Sequence, residues 1–301
     1  MVLLKFLVSL LRSVGLTVLL MYAGLCLVLY FGQTRLIFFP PRSIDATPAA
    51  VNLAYESVEL PVENATSAGR KSQGTITGWW IPASRQNAPV LLYFHGNASN
   101  IGDLVNRAAR FHQMGLSVLL IDYRGYGAST GEFPSEQSVY EDAIVAWNYL
   151  TQTRQISPDR IFLFGQSIGG AVAIDLASRQ SGAGKIPGGV IVESTFTSMR
   201  QMADIAGYSR FLPIDWLLTQ SFDSLTKVRS LQTPILLIHG TADRTIPPVM
   251  SQSLYGAAPQ PKQLVLIPGA THNDVSRVGD RVYWQAIEQF VQKHARPQQA
   301  Q

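Results

Sequence analysis

From residue 14 to residue 31 the chain runs VGLTVLLMYAGLCLVLYF, eighteen residues without a charge. About 20 apolar residues are needed to cross a bilayer as a helix, and a buried helix of a soluble domain would be shorter and striped instead of apolar all round. We therefore expect an N-terminal transmembrane helix, with residues 1–35 as a single-pass membrane anchor. A cleavable signal peptide would carry an apolar core of about 7–15 residues and an A-x-A-like site, and no such site follows Tyr30. Cys26 is preceded by Leu25, where a lipobox carries Gly, Ala or Ser, so it reads as a small apolar residue of the span.

This segment also accounts for the charge of the molecule. Residues 1–42 hold Lys5, Arg12, Arg35 and Arg42 and no acid, since the first carboxylate is Asp45, and these four cations equal the formal net charge of +4. The remaining 259 residues balance 20 basic against 20 acidic side chains. A nucleic-acid binder concentrates Lys and Arg on its folded domain, so nucleic acid is excluded as a partner. The amino terminus, Lys5 and Arg12 slightly outweigh Arg35 and Arg42, which places the N-terminus in the cytoplasm and the body outside it.

The body is long enough to bury one large core, and 47% hydrophobic against 15% charged residues is no composition for disorder. Its lack of cysteine excludes a disulfide framework and a Cys-based zinc site. No cluster has metal-ligand spacing, and neither a metal nor a cofactor is expected. After a linker (36–54) rich in Pro and Ala, short apolar runs alternate with helical periods up to residue 296, and a Gln/Ala tail occupies 297–301. Strands are expected at 57–60, 74–81, 90–94, 117–121, 160–164, 189–192, 235–238 and 263–267. Helices are expected near 100–114, 136–153, 168–180, 247–255 and 279–294. Two leading strands followed by repeated β-α units predict an α/β domain (55–296) with a mostly parallel sheet, helices on both faces and an antiparallel start. The connection over 194–233 is too long for a plain loop and too apolar for disorder, with Phe196, Phe211, Trp216 and Phe222 among its residues. It reads as a small helical cap. Asn64-Ala65-Thr66 is a glycosylation sequon expected in a loop, meaningful only in a eukaryotic secretory lumen.

The chemistry-bearing residues lie where apolar strands end. Gly165-Gln166-Ser167-Ile168-Gly169 matches G-x-S-x-G between a strand and a helix, a pattern in which small residues permit a sharp turn that lifts the serine hydroxyl. Serine is a weak nucleophile until a base, commonly a histidine held by a carboxylate, takes its proton. Of five histidines, His112 and His294 sit in helical stretches, and His95 and His239 precede glycines as turn-shaping residues. His272, in a loop after the last strand, is the base candidate. Asp243, after the penultimate strand, is the acid candidate, and Glu193 is the alternative; Asp274 lies too near His272 in the chain. The backbone N–H groups of Ile168 and Asn97 are the candidate oxyanion donors, one at a helix start and one in the His95-Gly96-Asn97 loop.

Taken together, the HGN loop, DYRGYGxSxG from Asp122 to Gly131, GQSIGG, HGTADRTIP and GATHND resemble the α/β-hydrolase superfamily. Their order is similar to the single-pass, membrane-anchored α/β-hydrolase-domain serine hydrolases, and also resembles the prolyl-oligopeptidase and dienelactone-hydrolase-like branches. The dienelactone enzymes carry Cys where this chain has Ser167, which makes their substrate a poor guide. The resemblance covers residues 58–291 and implies the α/β-hydrolase fold with Ser167 as nucleophile, His272 as base, Asp243 as acid, and Asn97 with Ile168 as oxyanion donors. The glycines at 125, 127 and 131 do not fit G-x-G-x-x-G, so this loop is expected to be structural, with Arg124 in a salt bridge. The expected function is hydrolysis of ester or thioester bonds in a small-molecule or lipid-derived acyl substrate. Acyl transfer by the same triad and a non-catalytic binding role are the alternatives.

Overall fold

The computed structural model describes residues 1–67 and 70–295. The tail at 297–301 lies outside them. The apolar N-terminus forms one helix, α1 (Val2–Ile37), longer than the charge-free run alone. Its 36 residues span about 54 Å at 1.5 Å per residue, more than the ~30 Å of a bilayer's hydrocarbon core. Its apolar side chains are exposed along most of its length.

The stretch after α1 is pinned rather than loose. Phe38 is buried against Phe222, and the Phe39 N–H donates to Asn97 Oδ1 at 3.1 Å. The Gly127 N–H donates to Pro41 O, and Arg42 donates to Ser129 O at 2.7 Å. A 3-10 turn at Pro48–Val51 leads into the hairpin β1 (Glu56–Ser67) and β2 (Arg70–Ile81). This hairpin runs further than expected, so the backbone of Asn64-Ala65-Thr66 lies on β1 instead of in a loop, beyond an irregularity between Val62 and Ala65.

The rest alternates as predicted: β3 (Val90–Phe94), α2 (Val105–Gln113), β4 (Ser117–Asp122), α3 (Glu136–Asn148), β5 (Ile161–Gln166), α4 (Ile168–Gly182) and β6 (Gly189–Glu193). Three short helices, α5 (Met199–Ile205), α6 (Ile214–Leu217) and α7 (Ser224–Val228), occupy the long connection. Then come β7 (Ile235–Gly240), α8 (Val249–Ala257), β8 (Lys262–Ile267) and α9 (Val275–His294). The eight strands lie in the order β1-β2-β4-β3-β5-β6-β7-β8. The β1/β2 and β2/β4 pairs are antiparallel and the others parallel. Side-chain alternation divides the core: Leu92, Phe94, Leu163, Val192 and Leu237 face α3, α4 and α8, while Leu91, Tyr93, Phe164, Ile191 and Leu236 face α2 and α9. Both faces are covered, which is why the central strands read as continuous apolar runs.

Parallel strands place their carboxyl ends on one edge. The chain builds outward from β3 to β4 and then returns to add β5 on the other side, so the switch point at which α/β sheets bind ligands lies between the loops after β3 and β5. Beside it, the Arg124 loop is a buried ion cluster. Arg124 Nε donates to Asp142 Oδ1 at 2.6 Å, its backbone N–H to Asp142 Oδ2 at 2.8 Å, and Nη2 to Glu141 at 2.7 Å. Burial raises the Asp142 carboxyl and the guanidinium opposes the rise. Removing one member of such a pair strands the other charge. Arg124→Met is therefore expected to lower the unfolding free energy by about 3–5 kcal/mol in urea titrations of the detergent-solubilised chain. Adding Asp142→Asn should restore part of the loss.

Candidate active site

Ser167 occupies the one residue between β5 and α4, and a strand cannot enter a helix so abruptly with ordinary dihedrals. It adopts φ 54° and ψ −120°, a region costly for a side-chain-bearing residue. The turn is held by the Ser167 N–H to Glu193 O at 2.8 Å and by Thr195 Oγ1 donating to Ser167 O at 2.8 Å. Two glycines make room for it. A Cβ on Gly165 would stand 2.1 Å from Gly169 O, and one on Gly169 would stand 2.2 Å from Phe94 O. The first turn of α4 thus sits directly on the ends of β3 and β5.

Loops after β7 and β8 bring the other two candidates to this point. His272 Nε2 lies 3.2 Å from Ser167 Oγ, and His272 Nδ1 lies 2.8 Å from Asp243 Oδ2. The Asp243 side chain is fully buried, and its Oδ1 accepts the N–H groups of Thr245 and Ile246 at 2.8 and 2.9 Å. Burial by itself would raise this carboxyl. The hydrogen bonds from His239, His272 and Ile246 outweigh it and hold the pKa well below the ordinary carboxylate range. An ionised Asp243 only accepts, so Nδ1 of His272 carries the ring proton and Nε2 is left to accept from the serine hydroxyl.

His239 exceeds the turn-shaping part expected of it. Its Nε2–H donates to Ile246 O at 2.9 Å and lies 3.2 Å from Asp243 Oδ2, while Nδ1 is 2.6 Å from Ser251 Oγ. The ring closes the turn that carries Asp243 and touches its carboxylate. The four-residue spacing of His239 and Asp243 was the available signal, but nothing in a sequence says that a turn folds back on its own strand end. The other acids are engaged elsewhere. Glu193 is buried against Arg107 at 3.0 Å and accepts from Tyr283 Oη, and Asp274 accepts the Thr271 N–H and pairs with Arg277.

The loop after β3 flanks the serine, since a Cβ on Gly96 would be 3.7 Å from Ser167 Cβ. Asn97 is held from its other side by Tyr126 Oη, which donates to Asn97 O at 2.7 Å, and by the Phe39 N–H on its Oδ1. The N–H groups of Asn97 and Ile168 meet no acceptor among the described residues. Among those residues no three His, Cys, Asp or Glu side chains gather as a metal-ligand set. A cleft of about 500 Å³ lined by Glu136, Tyr140, Gln220 and Lys227 does not include Ser167 or His272.

Comparison with known proteins agrees with this architecture. The family model described as "Serine aminopeptidase, S33" matches residues 85–227 and 217–275. The chain belongs to the α/β-hydrolases. An uncharacterized protein of Mycobacterium tuberculosis is 34% identical over 274 residues, 91% of this chain and 92% of its own. The lysophosphatidylserine lipase ABHD12 of Danio rerio is 31% identical over 69% of this chain and 58% of its own. In fold, this α/β-hydrolase is similar to the Pyrococcus furiosus esterase Pf2001, with a TM-score of 0.67 at 21% identity, over 86% of this chain and 99% of the other.

The depressed pKa of Asp243 has a sign that can be measured. A carboxyl whose folded pKa is lowered adds stability that is present above its unfolded pKa of about 3.9 and is lost as pH falls through the folded value. Asp243→Asn should therefore be less stable than the parent at pH 7, with the gap narrowing below about pH 4. Urea unfolding across that range checks it, and a gap that stays constant would contradict the ionised carboxylate.

Proposed function

We infer that this α/β-hydrolase is a membrane-anchored serine hydrolase that cleaves ester or thioester bonds of small or lipid-derived acyl substrates. The observation that carries the reading is the relay from Ser167 Oγ to His272 Nε2 and from His272 Nδ1 to Asp243. In it, Ser167 Oγ attacks the acyl carbonyl carbon as His272 Nε2 takes the hydroxyl proton. The oxyanion that forms is received by the N–H groups of Ile168 and Asn97. His272 then gives its proton to the departing alcohol or thiol, leaving the acyl group on Ser167. Water attacks that ester, His272 takes the water proton, and the carboxylic acid leaves as the proton returns to Ser167. Asp243 keeps the ring in the right tautomer and balances the imidazolium.

Two further facts support the substrate class. The relatives and structural neighbours include proteins named as a lipase and an esterase, and α1 is long and apolar enough to cross a bilayer. Anchored by α1, with its N-terminus in the cytoplasm and its body outside, the enzyme meets acyl substrates where they partition. With a neutral body, capture depends on apolar contact more than on long-range steering.

A fluorophosphonate serine probe should label the parent and leave Ser167→Ala unlabelled. Labelling retained in the variant would remove Ser167 from the role of nucleophile, and a folded parent that does not label would favour a binding protein. Asp243→Asn should lower kcat by about 10⁴, whereas Glu193→Gln, which breaks the Arg107 pair, should cost stability without a comparable loss of kcat. On p-nitrophenyl esters, activity that vanishes beyond butyrate would rule out a lipid-derived substrate.

A further inference from the structure

Beyond α1, most of the exposed aromatic rings lie on one short stretch of chain. Among the described residues past Ile37 they are Phe39, Tyr208, Phe211 and Trp216, and the last two are 76% and 84% exposed. Ile205, beside them in the chain, is also exposed. Three of the four rings thus lie on the short stretch from α5 through α6. Apolar surface concentrated in this way marks a contact with another apolar phase.

What that phase is follows from the position of α1. Tyr22 Oη donates to Phe211 O at 2.8 Å. Gln33 Nε2 donates to Leu217 O at 3.0 Å, and Gln33 Oε1 accepts the N–H of Thr219 at 2.9 Å and that of Gln220 at 3.2 Å. Tyr22 and Gln33 are separated by about 16 Å along the helix axis, so the stretch from Phe211 to Gln220 follows α1 over roughly half a hydrocarbon thickness. A segment laid along a span is wetted by what wets the span.

Its polar groups are also arranged for a medium poor in water. The carbonyls of Phe211 and Leu217 are satisfied by side chains of α1, as backbone groups in lipid must be. The charges close on one another: Arg200 pairs with both Asp204 and Asp215, and Ser209 donates to Asp204. Arg210, next to Phe211, is exposed and makes no ion pair among the described residues, which leaves its guanidinium for a lipid phosphate. Tyr and Trp are the residues enriched where headgroups meet acyl chains.

We propose that residues 205–217 form a wedge that enters the leaflet nearest the body beside α1, with Tyr208, Phe211 and Trp216 among the lipids, so that the body touches the phospholipid bilayer at two places. The wedge rests on the reading of α1 as a membrane span. It gives the enzyme a lipid contact of its own next to the connection that precedes β7, in addition to the tether.

The test uses the full chain reconstituted in phosphatidylcholine vesicles whose acyl chains carry bromine, which quenches tryptophan on contact. Trp79, Trp80 and Trp147 are buried in the body, and Trp284 packs against Phe111 and Tyr283 beneath the sheet. Brominated lipid should therefore quench the parent, and Trp216→Phe should lose most of that quenching. Alkaline carbonate extraction of the same vesicles reads the anchor separately. A chain that stays with the membrane but shows equal quenching in parent and variant, or none, overturns the wedge and leaves the anchor standing. Unquenched Trp216 emission together with cross-linked dimers would assign the patch to a second copy instead. Release by carbonate would overturn the anchor and the wedge together.

Discussion

The seating of the first turn of α4 on the ends of β3 and β5 is the contact on which the site depends. Gly169 leaves no side chain between the helix and the carbonyls of Phe94 and His95, and Gly165 leaves none between the strand and Gly169. Because the helix sits that low, Ser167 is forced into a positive φ, which a turn with a spare residue would not require. The same contact sets the loop after β3 beside the serine and opens the first N–H of the helix toward it. Strain of this kind costs on the order of 1–3 kcal/mol, and the surrounding sheet, buried on both faces, is what supports it.

Much of this was legible because it is local. The order of β-α units, the elbow at Ser167 and the loops carrying Asp243 and His272 are each written in short stretches whose backbone demands are strong. Periodicity located the strands because buried parallel strands have no polar face to blur the pattern. Contacts between distant segments were not legible. The position of Phe39 on Asn97 and the grip of Gln33 on residues 217–220 join elements that no spacing relates. The hairpin of β1 and β2 outran its expectation because its outer half is polar and shows no alternation of the kind that marks a half-buried strand.

The even balance of charge in the body also gains meaning from the fold. Arg124, Arg107 and Arg200 each join two or more separate segments through carboxylates or carbonyls. Arg107 touches Tyr93, Glu193 and Ser276, and so ties α2 to β3, to the end of β6 and to the first turn of α9. Guanidinium suits this use because its donors fan out in a plane and stay charged on burial. Part of a composition that looks merely neutral thus ties separate segments of the fold together.

The short strap from Phe38 to Ser43 alters how the body is carried. A chain tethered by a flexible linker tumbles about its anchor and presents its active site to the membrane only part of the time. Here Phe38 is buried in the core one residue beyond α1; the Phe39 N–H donates to Asn97 Oδ1, Pro41 O accepts from the Gly127 N–H, the Arg42 guanidinium donates to Ser129 O and Ser43 O accepts from Asn100. In the membrane-anchored reading proposed above, no slack separates span from body, so the tilt of the helix becomes the tilt of the whole domain. In that reading, the angle at which Ser167 meets the bilayer is inherited from the packing and interfacial anchors that set the tilt of α1.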